Sequence, residues 1–172
     1  MIGYLRASER TCSMARPIEL FERITRGAHR FDEKEPVVES QLHPFDRRNI
    51  HPSLPLKVRM LFDDGHYAEA TFAAFKFIDK KVQHYAKLKE SGFKLMMAAF
   101  DKGKPLIKLT SLASTSEIDE QEGFRFLFAG GVMAIRNPRG HEVDVRDDPD
   151  TCLDHLAFVS LLLRRLEQAG LK

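Results

Sequence analysis

The chain has 172 residues, of which 43% are hydrophobic and 30% are charged, and its formal net charge is +2 at pH 7. This length and composition predict a folded domain with a buried core rather than a disordered chain. No apolar run approaches the roughly 18 residues of a membrane span, and the mild charge excludes the strongly basic class of nucleic-acid-binding domains.

The N-terminal third differs in character from the remainder. A helix is expected from Pro17, with apolar residues at helical spacing, and a second short element is expected over residues 37–42. Pro44, Pro52 and Pro55 exclude a long regular element beyond that point. We therefore predict a partly flexible helical extension over residues 1–52 and a main domain over residues 53–172.

The first sixteen residues contain no apolar core of the kind that a secretory signal requires. Cys12 and Cys152 have neither the spacing of a metal site nor that of a disulfide framework. We expect a cytoplasmic protein with no membrane partner.

Helical periodicity is strongest from residue 56 onward. Leu56 to Phe62 can form two turns, and residues 66–88 predict one long helix with an apolar stripe. A further helix is expected over residues 93–100. The stripe of the long helix consists of Tyr67, Ala70, Ala74, Ile78, Val82 and Tyr85.

Ser116 is the expected N-cap of the next helix, with Asp119 as its capping-box partner. Gly123, Gly130 and Gly131 lie inside this helix, and each costs roughly 1 kcal/mol relative to Ala. Two explanations stay open for these glycines: close approach by another backbone, subunit or ligand, or a kink.

Pro138 disfavours helical geometry at Asn137, so the helix should stop or bend near Arg136. Alternatively, Asn137 caps a new turn in which Pro138 is the first residue. Asp148 and Pro149 predict the start of a last helix that is apolar nearly all round, which is typical of a central helix or a subunit contact. The fold class is therefore all-α, a helical bundle.

The segment Arg136 to His141 combines a guanidinium, an amide and an imidazole where the glycine-rich helix meets a loop. Arginine suits a phosphate, and histidine suits proton transfer near neutral pH, so the residue types fit an RNA-cleaving site. The spacing alone is weak, since Arg23 and His29 share it. A surface turn is the alternative explanation for Asn-Pro and Arg-Gly.

Metal and cofactor sites are not predicted. The acidic run at Asp144, Asp147, Asp148 and Asp150 lacks the glycine and distal glutamate of a calcium loop. Its position before a helix is better explained by the helix dipole. Gly103-Lys104 lacks the rest of a phosphate-binding loop.

Two segments resemble the Ymh-like proteins, an uncharacterised family: Leu61 to Ala70, and Glu120 to Gly131 running into Ile135 to Glu142. These proteins are in turn similar to the HEPN superfamily, which implies an HEPN-like helical bundle over roughly residues 53–165. The superfamily includes metal-independent endoribonucleases of toxin–antitoxin and antiphage defence systems.

Their motif is an arginine, an adjacent polar residue, and a histidine four to six residues after the arginine, which Arg136, Asn137 and His141 match. The resemblance therefore implies a catalytic site at these residues and a homodimer that brings two motifs together. Arg139 lies outside the motif, and its assignment to substrate binding is our inference.

The predicted function is that of an endoribonuclease that needs no metal and cleaves RNA by attack of the 2′-hydroxyl. RNA is the expected substrate, and an antitoxin or regulatory protein is a further candidate partner. The alternative is a non-catalytic helical module that binds RNA, a nucleotide or a partner protein.

Overall fold

The computed structural model describes residues 21–22, 42–142 and 144–171. Every regular element among these residues is helical, which confirms the all-α prediction. The predicted helix after Pro17 and the element at 37–42 lie outside the described residues, except for positions 21, 22 and 42.

The chain divides into the units Met1–Leu42 and His43–Lys172, and the second unit carries the elements below. The second unit begins at residue 43, whereas the sequence places the start of the main domain at residue 53. In chain order its helices are α1 (Pro44–Arg47), α2 (Leu56–Asp63), α3 (Tyr67–Ala86), α4 (Gly92–Ala99), α5 (Thr115–Gly131), a π-helical segment (Val132–Arg136), α6 (Asn137–His141) and α7 (Pro149–Gln168).

The core lies around α3, α4, α5 and α7. The predicted stripe of α3 points inward, since Ala70, Ala74, Ile78 and Val82 are all buried. Helix α7 also buries much of its surface, including Leu156, Leu162, Leu163 and Leu166, so it is a central helix of this unit. Burial of each such leucine contributes roughly 2 kcal/mol to folding.

The segment before α2 belongs to this core. Phe45 and Ile50 are buried with the core residues, and the backbone N–H of His51 donates to Ser160 Oγ over 2.9 Å. The buried His51 ring also lies 3.0 Å from Glu167, between its Nε2 and a carboxylate oxygen. These contacts tie residues 45–51 to α7.

Helix α5 begins two residues earlier than predicted. Ser114, not Ser116, is its N-cap, and Glu117, not Asp119, completes the capping box. Glu117 also accepts hydrogen bonds from Ser111 Oγ and from the Ala113 backbone, and these bonds lower the pKa of its carboxyl. The predicted cap of the last helix is confirmed, because Asp148 accepts from the Thr151 N–H.

Two buried polar side chains organise the connections around α4. Asp79 of α3 accepts the backbone N–H of Gly92 over 3.0 Å, and Gly92 has a positive φ of 66° that favours glycine. Gln121 of α5 donates to the carbonyls of Phe100 and Ile107 and accepts from Leu109 N–H. Three backbone groups at and after the end of α4 are therefore satisfied by one side chain.

The three glycines of α5 differ in their surroundings. A Cβ on Gly131 would lie 2.6 Å from Phe158 Cε1 and 3.0 Å from Phe75 Cε1, so close approach explains this glycine. A Cβ on Gly123 or Gly130 would meet nothing within 4 Å. Both of these residues are exposed.

Candidate functional site

The motif lies on a helix that continues past the predicted stop. Helix α5 passes through the π-helical segment into α6, and Asn137 has right-handed helical dihedrals (φ −62°, ψ −44°). The helix therefore does not stop at Arg136, although a π-helical segment replaces regular α-helical geometry there, and Asn137 is the first residue of α6 rather than its N-cap. The Asn137 N–H donates to Val132 O, five residues back, so a π turn carries the helix into Pro138.

Arg136 lies on an aromatic ring. Its guanidinium carbon is 5.1 Å from the centroid of the Phe72 ring, within the range of a cation–π contact. Its Nη1 donates to Asn137 Oδ1 over 3.1 Å, and its Nε is buried without a hydrogen-bond partner among the described residues. The contact with Phe72 holds the arginine while leaving it donors for a ligand.

The same ring explains Gly140. A Cβ at this position would lie 2.7 Å from Phe72 Cε2, closer than a side chain can pack. Arg136 and Gly140 are one helical turn apart and so share one side of the helix. Gly140 allows Phe72 to approach that side, and Phe72 in turn supports Arg136.

His141 is the last residue of α6, and it is exposed. In the described part of the chain it has no hydrogen bond or ion pair. Asn137 precedes it by one helical turn, so the two side chains share a side of the helix. The structure thus brings Arg136 and Asn137 into direct contact, with the imidazole free one turn further on.

Arg139 is bound within the chain. Its Nε and Nη2 donate to the two carboxylate oxygens of Asp147 over 2.6 and 2.5 Å, and its Nη1 donates to Ile135 O over 2.7 Å. The Arg139 and Asp147 side chains are only 10% and 5% exposed. This geometry favours a structural role, anchoring the segment before α7 to α6, over the predicted binding of substrate.

The profile of the family described as "Protein of unknown function (Hypoth_ymh)" matches residues 48–166. The chain belongs to this family. No curated protein and no solved structure matches the chain.

The match to the Hypoth_ymh family covers more than half of the chain and includes the whole Arg136 to His141 motif. It also includes Phe72, whose ring contacts Arg136 of that motif. The description of the Hypoth_ymh family names no activity, so the function rests on the site.

A second polar cluster, which the sequence did not predict, adjoins the motif in this Hypoth_ymh chain. His155 of α7 lies 3.9 Å from Asp147, between Nδ1 and Oδ2, and this Nδ1 is buried without a hydrogen-bond partner in the described segments. Burial, and then the positive charge of Arg139, lower the pKa of His155. Neutral imidazole is therefore favoured here.

Cys152, one turn before His155, is fully buried. Burial raises the pKa of its thiol to about 11, and Thr71 Oγ1 donates to the sulfur over 3.6 Å. A thiol held in its neutral form is a poor nucleophile, so Cys152 is a packing residue.

Neither a metal cluster nor a membrane-crossing helix is found in the described residues. No three acidic, histidine or cysteine side chains of this part of the chain are placed to hold a metal ion together. None of its helices combines the length and apolar composition that crossing a bilayer requires.

Proposed function

We propose that the chain is a homodimeric endoribonuclease that cleaves RNA without a metal, as the HEPN resemblance implies. Arg136, Asn137 and His141 would form its active site. The observation that carries the proposal is the position of Arg136, which lies over Phe72 with a buried, unpartnered Nε and precedes the exposed His141 on the same continuous helix. This combination provides a phosphate ligand and a proton-transfer group on one helix.

The reaction uses the 2′-hydroxyl of the substrate as nucleophile. The O2′–P bond forms as an imidazole takes the hydroxyl proton, and the P–O5′ bond breaks as a second imidazole donates a proton to the leaving oxygen. The products are a 2′,3′-cyclic phosphate and a 5′-hydroxyl. Arg136 stabilises the charge that develops on the phosphate, a contribution of roughly 3–4 kcal/mol for a preorganised donor. Asn137, bonded to Arg136, orients the guanidinium.

The second imidazole would come from a second copy of the chain. One side of the helix that carries the motif exposes apolar and small residues, among them Phe126, Leu127 and Met133, which are 55%, 42% and 53% exposed. Gly123 and Gly130 lie among them and would let another helix approach closely. A two-fold axis along this surface would place the His141 residues of both copies at one cleft.

We infer that the enzyme acts in the cytoplasm as a toxin or an antiphage effector. The decisive test compares wild type with Arg136→Ala and His141→Ala, using purified protein, single-stranded RNA and excess EDTA. The matched control is His84→Ala, which removes another exposed histidine far along α3.

Cleavage by wild type and by His84→Ala should persist in EDTA, with cyclic phosphate ends on the products. Arg136→Ala and His141→Ala should each lose at least about 100-fold in rate. Equal cleavage by all four proteins would show a contaminating nuclease. No cleavage by wild type would refute the assignment.

A groove on another surface supports the alternative of a non-catalytic module that binds a partner protein, such as an antitoxin. It has a volume of about 800 Å³, and its lining combines apolar side chains with three cations and one carboxylate: Phe93, Met97, Ala98, Lys94, Lys104, Arg125 and Asp101. Such a surface fits an acidic segment with a large apolar side chain. A wild type that cleaves no RNA but retains a partner, and loses it in Phe93→Glu, would favour this function.

A further inference from the structure

The second half of α3 and its C-cap residue expose a row of lysines that the Arg136 site does not use. Lys76, Lys80 and Lys87, here named the lysine stripe, are all exposed. Lys76 and Lys80 are one turn apart on α3 and so share one side of it, and Lys87 is the C-cap residue that follows the helix. They span about 17 Å along the axis, at 1.5 Å per residue.

The stripe begins beside the candidate site. Lys76 follows Phe72 by one helical turn and so lies next to it on the same side of α3. The Phe72 ring is the one that supports the Arg136 guanidinium, with 5.1 Å between ring centroid and guanidinium carbon. A ligand held by Arg136 therefore has Lys76 as the next cation along α3, followed by Lys80.

Carboxylates do not neutralise the stripe. Asp79, the acidic residue within this stretch, is 5% exposed and points inward to the Gly92 N–H. No lysine of the stripe forms an ion pair with a described residue, and Lys80 contacts only Gln83 Oε1, at 3.0 Å. Glu69 and Glu90 are exposed beyond the two ends of the stripe.

Accordingly, we propose that the lysine stripe binds the phosphates of single-stranded RNA next to the scissile bond, so that the strand runs from Arg136 along α3. This inference rests on the proposed function. Lysines in a row with separate, flexible ammonium groups suit a backbone without sequence preference. The stripe would therefore set affinity and salt dependence, and the chemistry would remain with the motif.

The test measures RNA binding separately from cleavage. In the full chain carrying His141→Ala, Lys76, Lys80 and Lys87 are changed together to Gln, which removes three charges and keeps side-chain length. The matched control changes Lys57, Lys102 and Lys108 to Gln, three exposed lysines outside the stripe. The probe is a fluorescent single-stranded RNA of about 12 nucleotides, a typical site size.

Binding is followed by anisotropy from about 50 to about 200 mM salt. The slope of log Kd against log salt should fall by about 2 in the stripe variant, since each lost phosphate contact removes about 0.7 from the slope. The control variant should keep the slope of its parent. An unchanged slope in the stripe variant, or an equal loss in both variants, would overturn the proposal.

Cleavage assays on proteins with an intact motif distinguish the lysine stripe proposal from the nuclease proposal. The stripe variant should cleave a dinucleotide at the wild-type rate but show a raised KM for the longer RNA. If wild type cleaves RNA and the stripe variant has the same KM for the longer RNA, the stripe proposal fails and the nuclease stands. If wild type cleaves nothing but the slope of log Kd against log salt depends on the stripe, the nuclease proposal fails and the lysine stripe proposal stands.

Discussion

At the scale of single residues, the Phe72 ring brings two positions far along the chain, Arg136 and Gly140, next to α3. It contacts the Arg136 guanidinium, lies where a Gly140 side chain would be, and precedes Lys76 by one turn. Arg139, by contrast, uses its guanidinium on Asp147 and Ile135. Two arginines of the segment Arg136 to His141 therefore have different surroundings, because one has an aromatic neighbour and the other a buried carboxylate.

Replacing Arg139 by alanine should reduce stability rather than substrate affinity. The change leaves the Asp147 carboxylate, which is 5% exposed, without its cation. Loss of one partner of a buried pair costs about 3–5 kcal/mol, which urea unfolding would measure. Arg146→Ala, at an exposed position, should stay within about 0.5 kcal/mol of wild type. A stable Arg139→Ala protein with a raised KM would restore the substrate-binding role.

His155 should make stability depend on pH. Burial and Arg139 lower its pKa from 6.5 in the folded chain, so the unfolded chain takes up the proton first as pH falls. The contribution of neutral His155 is complete above about pH 6.5 and is lost as pH falls towards the folded pKa. Between about pH 7.5 and about pH 5.5, the thermal midpoint of wild type should fall further than that of His155→Gln. Parallel curves for the two proteins would contradict this.

At the scale of elements, the helix from α5 to α6 has two different sides. One side packs inward through Gly131, where the rings of Phe158 and Phe75 leave no room for a side chain. The other side exposes Gly123 and Gly130 together with large apolar residues. Three glycines of one helix thus fall into two classes, which their positions in the sequence did not separate.

Alanine at these glycines should have opposite effects on stability. Gly131→Ala puts a Cβ within 2.6 Å of Phe158 Cε1 and should destabilise by about 1–3 kcal/mol, the usual cost of overpacking. Gly123→Ala has free space within the chain and should stabilise the monomer by about 0.5–1 kcal/mol through helix propensity. Chemical denaturation of both variants would measure this. Similar effects from both would show that helix propensity alone determines the change in stability at these glycines.

At the scale of the whole molecule, the proposed active site is complete only with two copies of the chain. The exposed apolar side of α5 continues through the π-helical segment into the motif. The proposed dimer contact and the proposed active site therefore lie on one continuous helix. A change on this side should therefore affect activity through assembly, at a distance from the reacting groups. The same change at an equally exposed apolar residue elsewhere should leave activity unaltered.

Met133→Glu should yield a folded, inactive monomer. Met133 is 53% exposed on the proposed contact, so a carboxylate there would be desolvated in the dimer but solvated in the monomer. Leu161→Glu is the matched control, because Leu161 is 48% exposed and belongs to a different helix, α7. Light scattering should give a monomer only for Met133→Glu, whose cleavage rate should fall at least about 100-fold. A fully active monomer would refute the composite site.

Much of the helical layout was predictable from local patterns. The observed α3, Tyr67–Ala86, lies within two residues of the prediction because its apolar residues recur at helical spacing. The N-cap of α5 was predicted two residues too late, because Ser114 and Ser116 both suit a cap. Ser114 is favoured by the hydrogen bonds that Glu117 accepts from Ser111 and from the Ala113 backbone. The π turn before Pro138 was not predictable, since proline usually ends a helix.

By itself, the sequence determined which segments are helical, where the last helix is capped, and where arginine, asparagine and histidine fall close together, because these depend on near neighbours in the chain. Only the tertiary structure decided that Phe72 supports Arg136, that Asp147 holds Arg139, and that Asp79 turns inward and leaves the lysine stripe unneutralised. Each of these joins residues on different elements. Their pairing depends on how the helices pack, which spacing along the chain does not encode.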